Sequence, residues 1–363
     1  MLTADDGGVD EDRLNSIAED IATLQRSGRE VLLVSSGAVG LGRDTLGLTE
    51  APTQLALRQA CAAVGQSQLM ALYRHAFSDR GITTAQVLLT ESDLDDRARY
   101  LNLRSALLAL LDRGVVPVLN ENDVVSTAEL AFLEGEERPV FGDNDRLSAL
   151  VATKLGADLL VLLTDVPGLH AADPRYEPDA PLLTRVDPKD FDDASKLAGA
   201  SGSDLGRGGM RSKVEAALVA ARSGCHAVIG SGLIPRSLSQ IAAGDEVGTW
   251  FPPAGNLSAR DRWLAFATAP RGSLHLDSGA VRALLEQGAS LLAVGVQQIE
   301  GDFERGDVVT LLAPNGREIG RGMVHCDAVA ARLWAKGEGP GGVRNHDALV
   351  HRDHLVLEPG AAS

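Results

Sequence analysis

The chain has 363 residues, of which 44% are hydrophobic and 23% charged, and a net charge of −16 at pH 7. These proportions are those of a globular protein, and the length predicts about two domains. The acidic balance argues against general affinity for nucleic acids or anionic membranes. No apolar stretch is long enough to span a bilayer, and residues 1–6 lack the hydrophobic region of a signal peptide. We therefore predict a cytoplasmic protein.

The three cysteines lie far apart in the sequence, at Cys61, Cys225 and Cys326. They form no CxxC pair, and the nearby His226 and His325 lack the further ligands that a metal needs. Such cysteines are typical of a reducing compartment. We predict that they are structural and that the protein builds no metal site of its own.

Helix-period segments alternate with short apolar runs as far as about residue 235. The predicted helices are 12–26, 53–80 with a break near Gly65, 97–111, 147–155 and 210–221. The predicted strands are 31–34, 85–89, 115–119, 159–163 and 227–229. Because the strands are almost continuously apolar, we predict an α/β domain with a mainly parallel sheet sandwiched by helices.

The pattern changes after about Gly244. Residues 248–262 have the prolines and glycines of a linker. One helix, 278–287, and short β-like runs at 306–311 and 316–319 follow it. These features predict a small, mostly β second domain, with domain limits of 1–250 and 271–363.

The start of the first domain is unusual. A parallel α/β domain normally opens with a strand, whereas this chain opens with polar residues followed by a helix. We therefore expect that the first strand of the domain is missing from this sequence.

Two polar clusters are the most informative feature of the chain: Asn120-Glu121-Asn122-Asp123 and Gly142-Asp143-Asn144-Asp145. The first follows the predicted strand 115–119, and ligands of open α/β sheets bind at the carboxyl ends of strands. Asn, Asp and Gly also simply form turns. Two such clusters about twenty residues apart favour a site for a small polar substrate or for a metal bound to phosphate.

Two glycine-rich segments and one polar pair lie at the ends of further predicted elements. Ser35 to Gly42 follows a strand, Gly206 to Lys213 opens a helix, and Thr164-Asp165 ends another strand. Backbone amides in such segments, with Lys213, suit phosphate groups. Neither GxGxxG nor GxxxxGK[ST] occurs, which disfavours nicotinamide and Walker-type sites. His351-Arg352-Asp353 matches a protein-kinase tripeptide but lacks its companion motifs, so we predict a structural role.

Taken together, these segments resemble the glutamate 5-kinase branch of the amino acid kinase family. The matching segments are Ser35-Ser36-Gly37-Ala38, Ala63-Val64-Gly65-Gln66-Ser67, Gln86-Val87-Leu88-Leu89-Thr90, Val118 to Asp123, Phe141 to Asp145, Leu163-Thr164-Asp165, Asp173-Pro174-Arg175 and Gly208 to Lys213. The tail resembles a PUA domain through Leu276 to Ala280, Ser290-Leu291-Leu292 and Gly301 to Asp307.

The resemblance implies ATP-dependent phosphorylation of the γ-carboxylate of L-glutamate to glutamyl 5-phosphate, the first step of proline biosynthesis. It implies ATP and Mg²⁺ as requirements and a homo-oligomer, either a dimer or a tetramer. The residues it assigns to glutamate are Ser36, Asp123 and Asn144. Those it assigns to ATP are Thr164, Asp165, Arg207, Gly208, Gly209, Met210, Arg211, Ser212 and Lys213. Asp145 and Lys213 become the catalytic pair, with Asp145 organising the cations around the transferred phosphoryl group.

The chain departs from the family pattern in three places. Family members begin with a strand that carries a lysine and a glycine-serine turn, and this sequence starts after it. Arg207 occupies a position where threonine is usual, and the link 124–140 is longer than the norm, with a turn expected at 134–137.

Two alternative functions stay open at this point. One is a different amino acid kinase, acting on N-acetylglutamate, aspartate or carbamate. The other is an inactive, truncated relative whose PUA domain binds RNA. Residues 271–363 contain 12 Asp and Glu against 9 Lys and Arg, a net charge of −3. RNA binding normally depends on a basic surface, so this charge disfavours RNA.

Overall fold

The structure is a computed structural model that describes residues 10–126, 144–174, 176–177, 179–200, 209–254, 270–337 and 348–357. The chain divides into two compact units, residues 1–256 and 257–363. The finer domain limits expected from the sequence, 1–250 and 271–363, stay predictions.

The first unit alternates helices and strands along the chain. Its described helices are α1 (Glu11–Arg26), α2 (Ala38–Thr45), α3 (Leu55–Ser78), α4 (Glu91–Asp95), α5 (Arg97–Leu111), α6 (Asn144–Leu155), α7 (Phe191–Ala200), α8 (Met210–Arg222) and α9 (Ser237–Ala243). Its strands are β1 (Leu33–Val34), β2 (Thr84–Leu89), β3 (Val116–Glu121), β4 (Leu159–Thr164), β5 (His226–Ser231) and β6 (Thr249–Phe251). The predicted α/β alternation is confirmed.

The strands of the first unit form two three-stranded sheets, with orders β1-β3-β2 and β4-β5-β6. β3 is parallel to both of its neighbours, and β4 is parallel to β5. β6 is the exception, because it runs antiparallel to β5. It lies inside the segment that the sequence predicted to be a linker, so that prediction is wrong for 249–251. Proline and glycine around three strand residues had obscured the strand.

Helices cover both faces of the parallel strands. On one face, Val116 and Val118 pack against apolar residues of α1 and α3. On the other, Leu119 packs against residues of α5 and α6. Successive strand residues point to opposite faces, so an apolar run is buried on both sides. The predicted sandwich is therefore confirmed.

β1 and β4 face a common cavity of about 1490 Å³, which we call the central slot. Leu32 to Val34 line one side and Leu159 to Leu163 the other. β1 pairs only with β3, and β4 pairs only with β5, among the strands that the structure describes. The pairing of β1 covers only two residues, although the sequence predicted a strand over 31–34.

α3 runs without interruption through Gly65, so the predicted helix break is wrong. A side chain at Gly65 would place its Cβ 1.8 Å from the carbonyl oxygen of Ala38 in α2. Glycine is needed here because two helix backbones touch, and not because the helix ends. This close approach fixes α2, and with it the turn that follows β1.

The second unit contains a six-stranded sheet of order β8-β12-β11-β10-β7-β9. Its strands are β7 (Gly272–Leu276), β8 (Leu291–Leu292), β9 (Val296–Gly301), β10 (Val308–Leu312), β11 (Glu318–Val324) and β12 (Ala348–Leu357), and its helices are α10 (Ser278–Gln287) and α11 (Ala328–Ala335). The prediction of a mostly β domain with one helix at 278–287 is confirmed, and α11 was missed. The tripeptide at 351–353 lies within β12, in keeping with the structural role predicted for it.

All three cysteines are buried and free. None of the helices that the structure describes combines the length and apolar character needed to cross a lipid bilayer.

We expect Gly65→Ala to destabilise the first unit by at least about 2 kcal/mol, because the new methyl group overlaps backbone that cannot move away cheaply. Urea denaturation followed by circular dichroism measures the effect. Gly40→Ala is the matched control: Gly40 also lies within a helix, but its Cβ would meet nothing within 4 Å. That variant should gain about 0.5–1 kcal/mol. Equal stabilities of the two variants would contradict the packing described above.

Candidate active site

Polar residues gather at the end of the central slot where β1 finishes. Ser35, Ser36, Asn144, Asp145 and Lys213 all line the slot there. β1 delivers the serines, the first turn of α6 delivers Asn144 and Asp145, and α8 delivers Lys213. The carboxyl ends of parallel strands are the usual place for ligands in open α/β sheets. The structure thus brings together residues that lie up to 178 positions apart in the sequence.

The centre of this site is an ion pair between Asp145 and Lys213. Lys213 Nζ lies 2.8 Å from Asp145 Oδ2, and the side chains are only 12% and 14% exposed. The hydroxyl of Ser212 donates to the same carboxylate oxygen at 2.8 Å. Charge-assisted hydrogen bonds of this length are strong when partly buried. The Lys213 ammonium is therefore held at a fixed place beside the slot.

The helix that carries Lys213 begins at a glycine. Gly209 is the N-cap of α8 and supplies no side-chain cap. The Ser212 hydroxyl, whose single proton is placed on Asp145 above, also lies 2.8 Å from the carbonyl oxygen of Gly209 in the same turn. A helix start of this kind presents backbone N–H groups and the positive end of the helix dipole, which favour phosphate. Arg207 and Gly208, also predicted to bind ATP, lie outside the described residues.

The two serines that follow β1 differ in exposure: Ser35 is buried and Ser36 is exposed. Gly37 has a φ of 107°, a conformation that favours glycine, and it starts α2. Ser35 is buried and its hydroxyl lies 2.7 Å from that of Tyr73. Burial raises the pKa of Tyr73 to about 12, so this pair stays neutral. Ser36 is exposed on the turn, where a ligand can reach it.

Two residues of the first polar cluster, Asn120 and Glu121, form hydrogen bonds within the fold. Asn120 is buried, and its amide Nδ2 donates to Oε1 of Gln66 at 2.8 Å. Glu121 belongs to β3 and accepts from the hydroxyl of Ser126 at 2.6 Å. Asp123 follows in the turn and is half-buried. Asn120 and Glu121 are thus engaged within the fold, and the substrate role of Asp123 stays a prediction. In the second cluster, Gly142 and Asp143 lie outside the described residues.

The other predicted nucleotide residues differ in their surroundings. Thr164 is buried at the end of β4, and its hydroxyl donates to Oδ1 of Asp165 at 3.0 Å. Asp165 is exposed. Arg211 is exposed and pairs with Glu215 at 2.9 Å, one turn further along α8. Met210 packs against the core of the unit. An interaction of these last two side chains with nucleotide therefore has less structural support than that of Lys213.

Two charged groups with shifted pKa values were missed in the sequence. Glu91 begins α4 just after β2, and its side chain is 33% exposed; partial burial raises its pKa to about 7, against the opposing effect of Arg146. The Lys154 side chain is 1% exposed. It donates to the carbonyl oxygen of Leu94, and burial lowers its pKa to about 8. Only the folded packing makes these groups unusual, so no sequence motif marks them.

The raised pKa of Glu91 gives stability a defined pH dependence. The carboxyl has a pKa of 4.5 when exposed and about 7 when folded. Its favourable contribution is complete below pH 4.5 and is lost as the pH rises through 7. Glu91→Gln mimics the protonated form. We expect its melting temperature to exceed that of the parent at pH 8 by more than at pH 5, as measured by differential scanning fluorimetry. Glu50→Gln, at an exposed glutamate, should show no such trend. A difference in melting temperature between Glu91→Gln and the parent that is the same at both pH values would contradict the raised pKa of Glu91.

Comparison with known proteins places this site in a family. The model of the amino acid kinase family matches residues 5–231, and that of the PUA domain matches residues 272–339. A glutamate 5-kinase of Pseudomonas fluorescens strain Pf-5 is 46% identical over 365 residues, which cover 98% of this chain and 95% of that protein. The glutamate 5-kinase of Pseudomonas putida strain KT2440 is 45% identical with the same coverage.

Solved structures give lower similarity. A UMP kinase from Bacillus anthracis is 17% identical, with a TM-score of 0.46 over 70% of this chain and 93% of that chain. An isopentenyl phosphate kinase is 20% identical, with a TM-score of 0.45 over 69% and 95%. Because these TM-scores are below 0.5, the family assignment comes from the sequence matches. Those matches extend along nearly the whole sequence: the chain belongs to the amino acid kinase family, among the glutamate 5-kinases, and carries a C-terminal PUA domain.

Proposed function

We propose that the protein transfers the γ-phosphoryl group of ATP to the γ-carboxylate of L-glutamate, giving glutamyl 5-phosphate. This reaction is the first step of proline biosynthesis. The observation that carries the proposal is the Asp145–Lys213 pair at the end of the central slot, in a chain whose relatives are named glutamate 5-kinases.

The acceptor side of the reaction needs binding groups and no general base. A glutamate side chain has a pKa near 4.3, so its carboxylate is already ionised and nucleophilic at neutral pH. The half-buried carboxylate of Asp123 suits the α-ammonium group of the substrate. Ser36 and Asn144 suit its carboxylate oxygens as hydrogen-bond donors. These assignments rest on the resemblance and on the position of Ser36 and Asn144 at the slot.

The donor side needs positive charge that is already in place. Phosphoryl transfer is accelerated mainly by alignment and by cations that offset charge on the equatorial oxygens. Lys213 supplies such a cation, and Asp145 with Ser212 fixes its position. The start of α8 adds backbone N–H groups on the same helix. Thr164 and Asp165 at the end of β4, with the segment 207–213, complete the proposed ATP site.

Mg²⁺ fits this site as a part of the substrate MgATP. It usually binds to the phosphates and to one or two carboxylates and keeps several waters. Asp145 and Asp165 are described carboxylates that the proposal places beside the phosphates. When bound, the ion would neutralise charge on the transferred group.

The cellular location, the oligomeric state and the choice of amino acid substrate are further parts of the proposal. The predicted cytoplasmic location is supported by three cysteines that are buried and free. A dimer or tetramer rests on the resemblance alone. A different amino acid substrate has no observation in its favour, since the relatives share the name glutamate 5-kinase.

The direct test is formation of an acyl phosphate. With glutamate and MgATP, we expect a product that hydroxylamine traps as the γ-hydroxamate. N-acetylglutamate, aspartate and carbamate in place of glutamate should give at least about tenfold less, because each changes the groups that Ser36, Asp123 and Asn144 would bind. The assay is run on this chain. Absence of hydroxamate, or a preference for another acid, would contradict the proposal.

Removing the fixed cation should abolish most of the rate. We expect Lys213→Met to lower kcat by about 10²–10³-fold, the usual cost of one group that stabilises a transition state. Lys196→Met is the matched control, because the Lys196 side chain is 76% exposed and pairs with Asp193 on the surface. It should leave kcat within twofold of the parent. Melting temperatures of both variants show whether the loss reflects folding.

The two substrates should respond to different residues. Asn144→Ala should raise the KM for glutamate about tenfold or more, the value of one hydrogen bond to a charged group, and leave the KM for ATP nearly unchanged. Thr164→Val, which keeps the shape of the side chain, should raise the KM for ATP instead. Steady-state kinetics with each substrate varied in turn measures both. The reverse pattern would contradict the assignment of the two halves of the site.

A further inference from the structure

One buried amide in the first unit has a donor that the chain does not use. Gln66 lies in α3 and is only 9% exposed. Among the residues that the structure describes, its Nε2 is a buried nitrogen without a hydrogen-bond partner. A buried N–H group that meets no acceptor is costly, and native proteins keep few of them. Such a donor indicates a place where an acceptor from outside the chain can bind.

The other end of the same amide is held in place. Asn120 Nδ2 donates to Gln66 Oε1 at 2.8 Å, and both residues are buried. A primary amide carries an acceptor oxygen at one end and two N–H donors at the other. The bond from Asn120 engages the oxygen end of Gln66. The N–H end is therefore held in a fixed orientation although it has no partner of its own.

α3 places Gln66 toward the carboxyl edge of the strands. Tyr73 lies two turns further along the same face of α3, and its hydroxyl contacts Ser35, the residue after β1. β1 and β2 are both parallel to β3, and α3 lies between them in the chain. A helix that connects parallel strands runs back in the opposite direction. Gln66, which precedes Tyr73, therefore lies further toward the carboxyl side.

Two segments that are proposed to bind the amino acid adjoin this amide. The backbone of α3 next to Gln66 touches the carbonyl oxygen of Ala38, in the helix turn that follows Ser36. Asn120, the partner of Gln66, lies three positions before Asp123. The proposed function assigns Ser36 and Asp123 to glutamate. Amide N–H groups are good donors to carboxylate oxygens, and glutamate has two carboxylates.

We infer that Gln66 is a further substrate-binding residue: its Nε2 donates a hydrogen bond to a carboxylate oxygen of the amino acid, and Asn120 holds the amide in place. The inference rests on the proposed function, because it takes glutamate as the substrate. A donor that is unpaired in the free chain becomes paired in the complex. A ligand without a carboxylate at this place leaves the donor unpaired, so Gln66 contributes to specificity as well as to affinity.

Binding of glutamate in the absence of ATP tests this inference. Isothermal titration calorimetry with glutamate alone compares the parent with two variants. Gln66→Met removes the donor without adding charge. Gln66→Glu keeps an oxygen that accepts from Asn120 but replaces the N–H groups by a second oxygen, which repels a carboxylate. Gln68→Met is the matched control, because Gln68 lies on the same helix and its Nε2 already donates to Thr45 Oγ1 at 2.7 Å.

We expect Gln66→Met and Gln66→Glu each to weaken glutamate binding at least about tenfold, the usual effect of losing one hydrogen bond to a charged group. Their KM for glutamate should rise accordingly, whereas the KM for ATP stays within about twofold. Gln68→Met should change neither value by more than about twofold. Melting temperatures show whether any variant is misfolded.

The Gln66→Glu variant separates a donor from a merely structural residue, because it preserves the bond from Asn120. Glutamate binding equal to that of the parent in Gln66→Glu, or in Gln66→Met, would overturn the inference and leave the proposed function intact. A parent protein that binds no glutamate would contradict the proposed function, and this inference with it. The two failures are therefore distinguishable.

Discussion

The ion pair between Asp145 and Lys213 connects the two halves of the first unit at the place where they meet the site. Asp145 lies in the first turn of α6, which packs beside β3, and Lys213 lies in the first turns of α8, which packs on β4 and β5. A carboxylate near a helix N-terminus is favoured by the helix dipole. The Asp145 carboxylate therefore stabilises the start of α6, and the ion pair holds one cation at the slot. In the proposed function, glutamate is bound by residues that include Ser36 and Asn144, and ATP by residues that include Thr164 and Asp165.

The sequence predicted those elements best whose ends carry local signals. α5 and α10 match their predicted limits, and in each the cap side chain bonds to the third residue of the helix, Asp96 to Arg99 N and Asp277 to Ala280 N. Such caps act over three residues and can be recognised in a sequence. Gly65 misled the prediction because its reason is a contact with Ala38, 27 positions away. β6 was missed because it gains its identity from backbone pairing with β5 and with Arg185, which are distant in the sequence.

The site shows the same division between local and distant information. Sequence resemblance selected Asp145 and Lys213, and the structure brings them to 2.8 Å. The residue pattern at 120–123 favoured a polar site, and the resemblance assigned Asp123 alone to the substrate; the fold buries Asn120 against Gln66 and leaves Asp123 in the turn. The shifted pKa values of Glu91 and Lys154 come from burial among elements that are far apart in sequence. The pattern of apolar and polar residues in the sequence does not show how much a charged group is desolvated in the fold.

The proposed catalysis depends most on Asp145 and Lys213 acting as one unit, and a double-mutant cycle tests this directly. Activity with glutamate and MgATP is measured for Asp145→Asn, Lys213→Met and the double variant. If Asp145 works by holding Lys213 in place, the double variant should lose little more than the Lys213→Met variant alone, because groups that act together show strongly non-additive losses. Losses in kcat that multiply across the two substitutions would contradict the account and show two independent contributions.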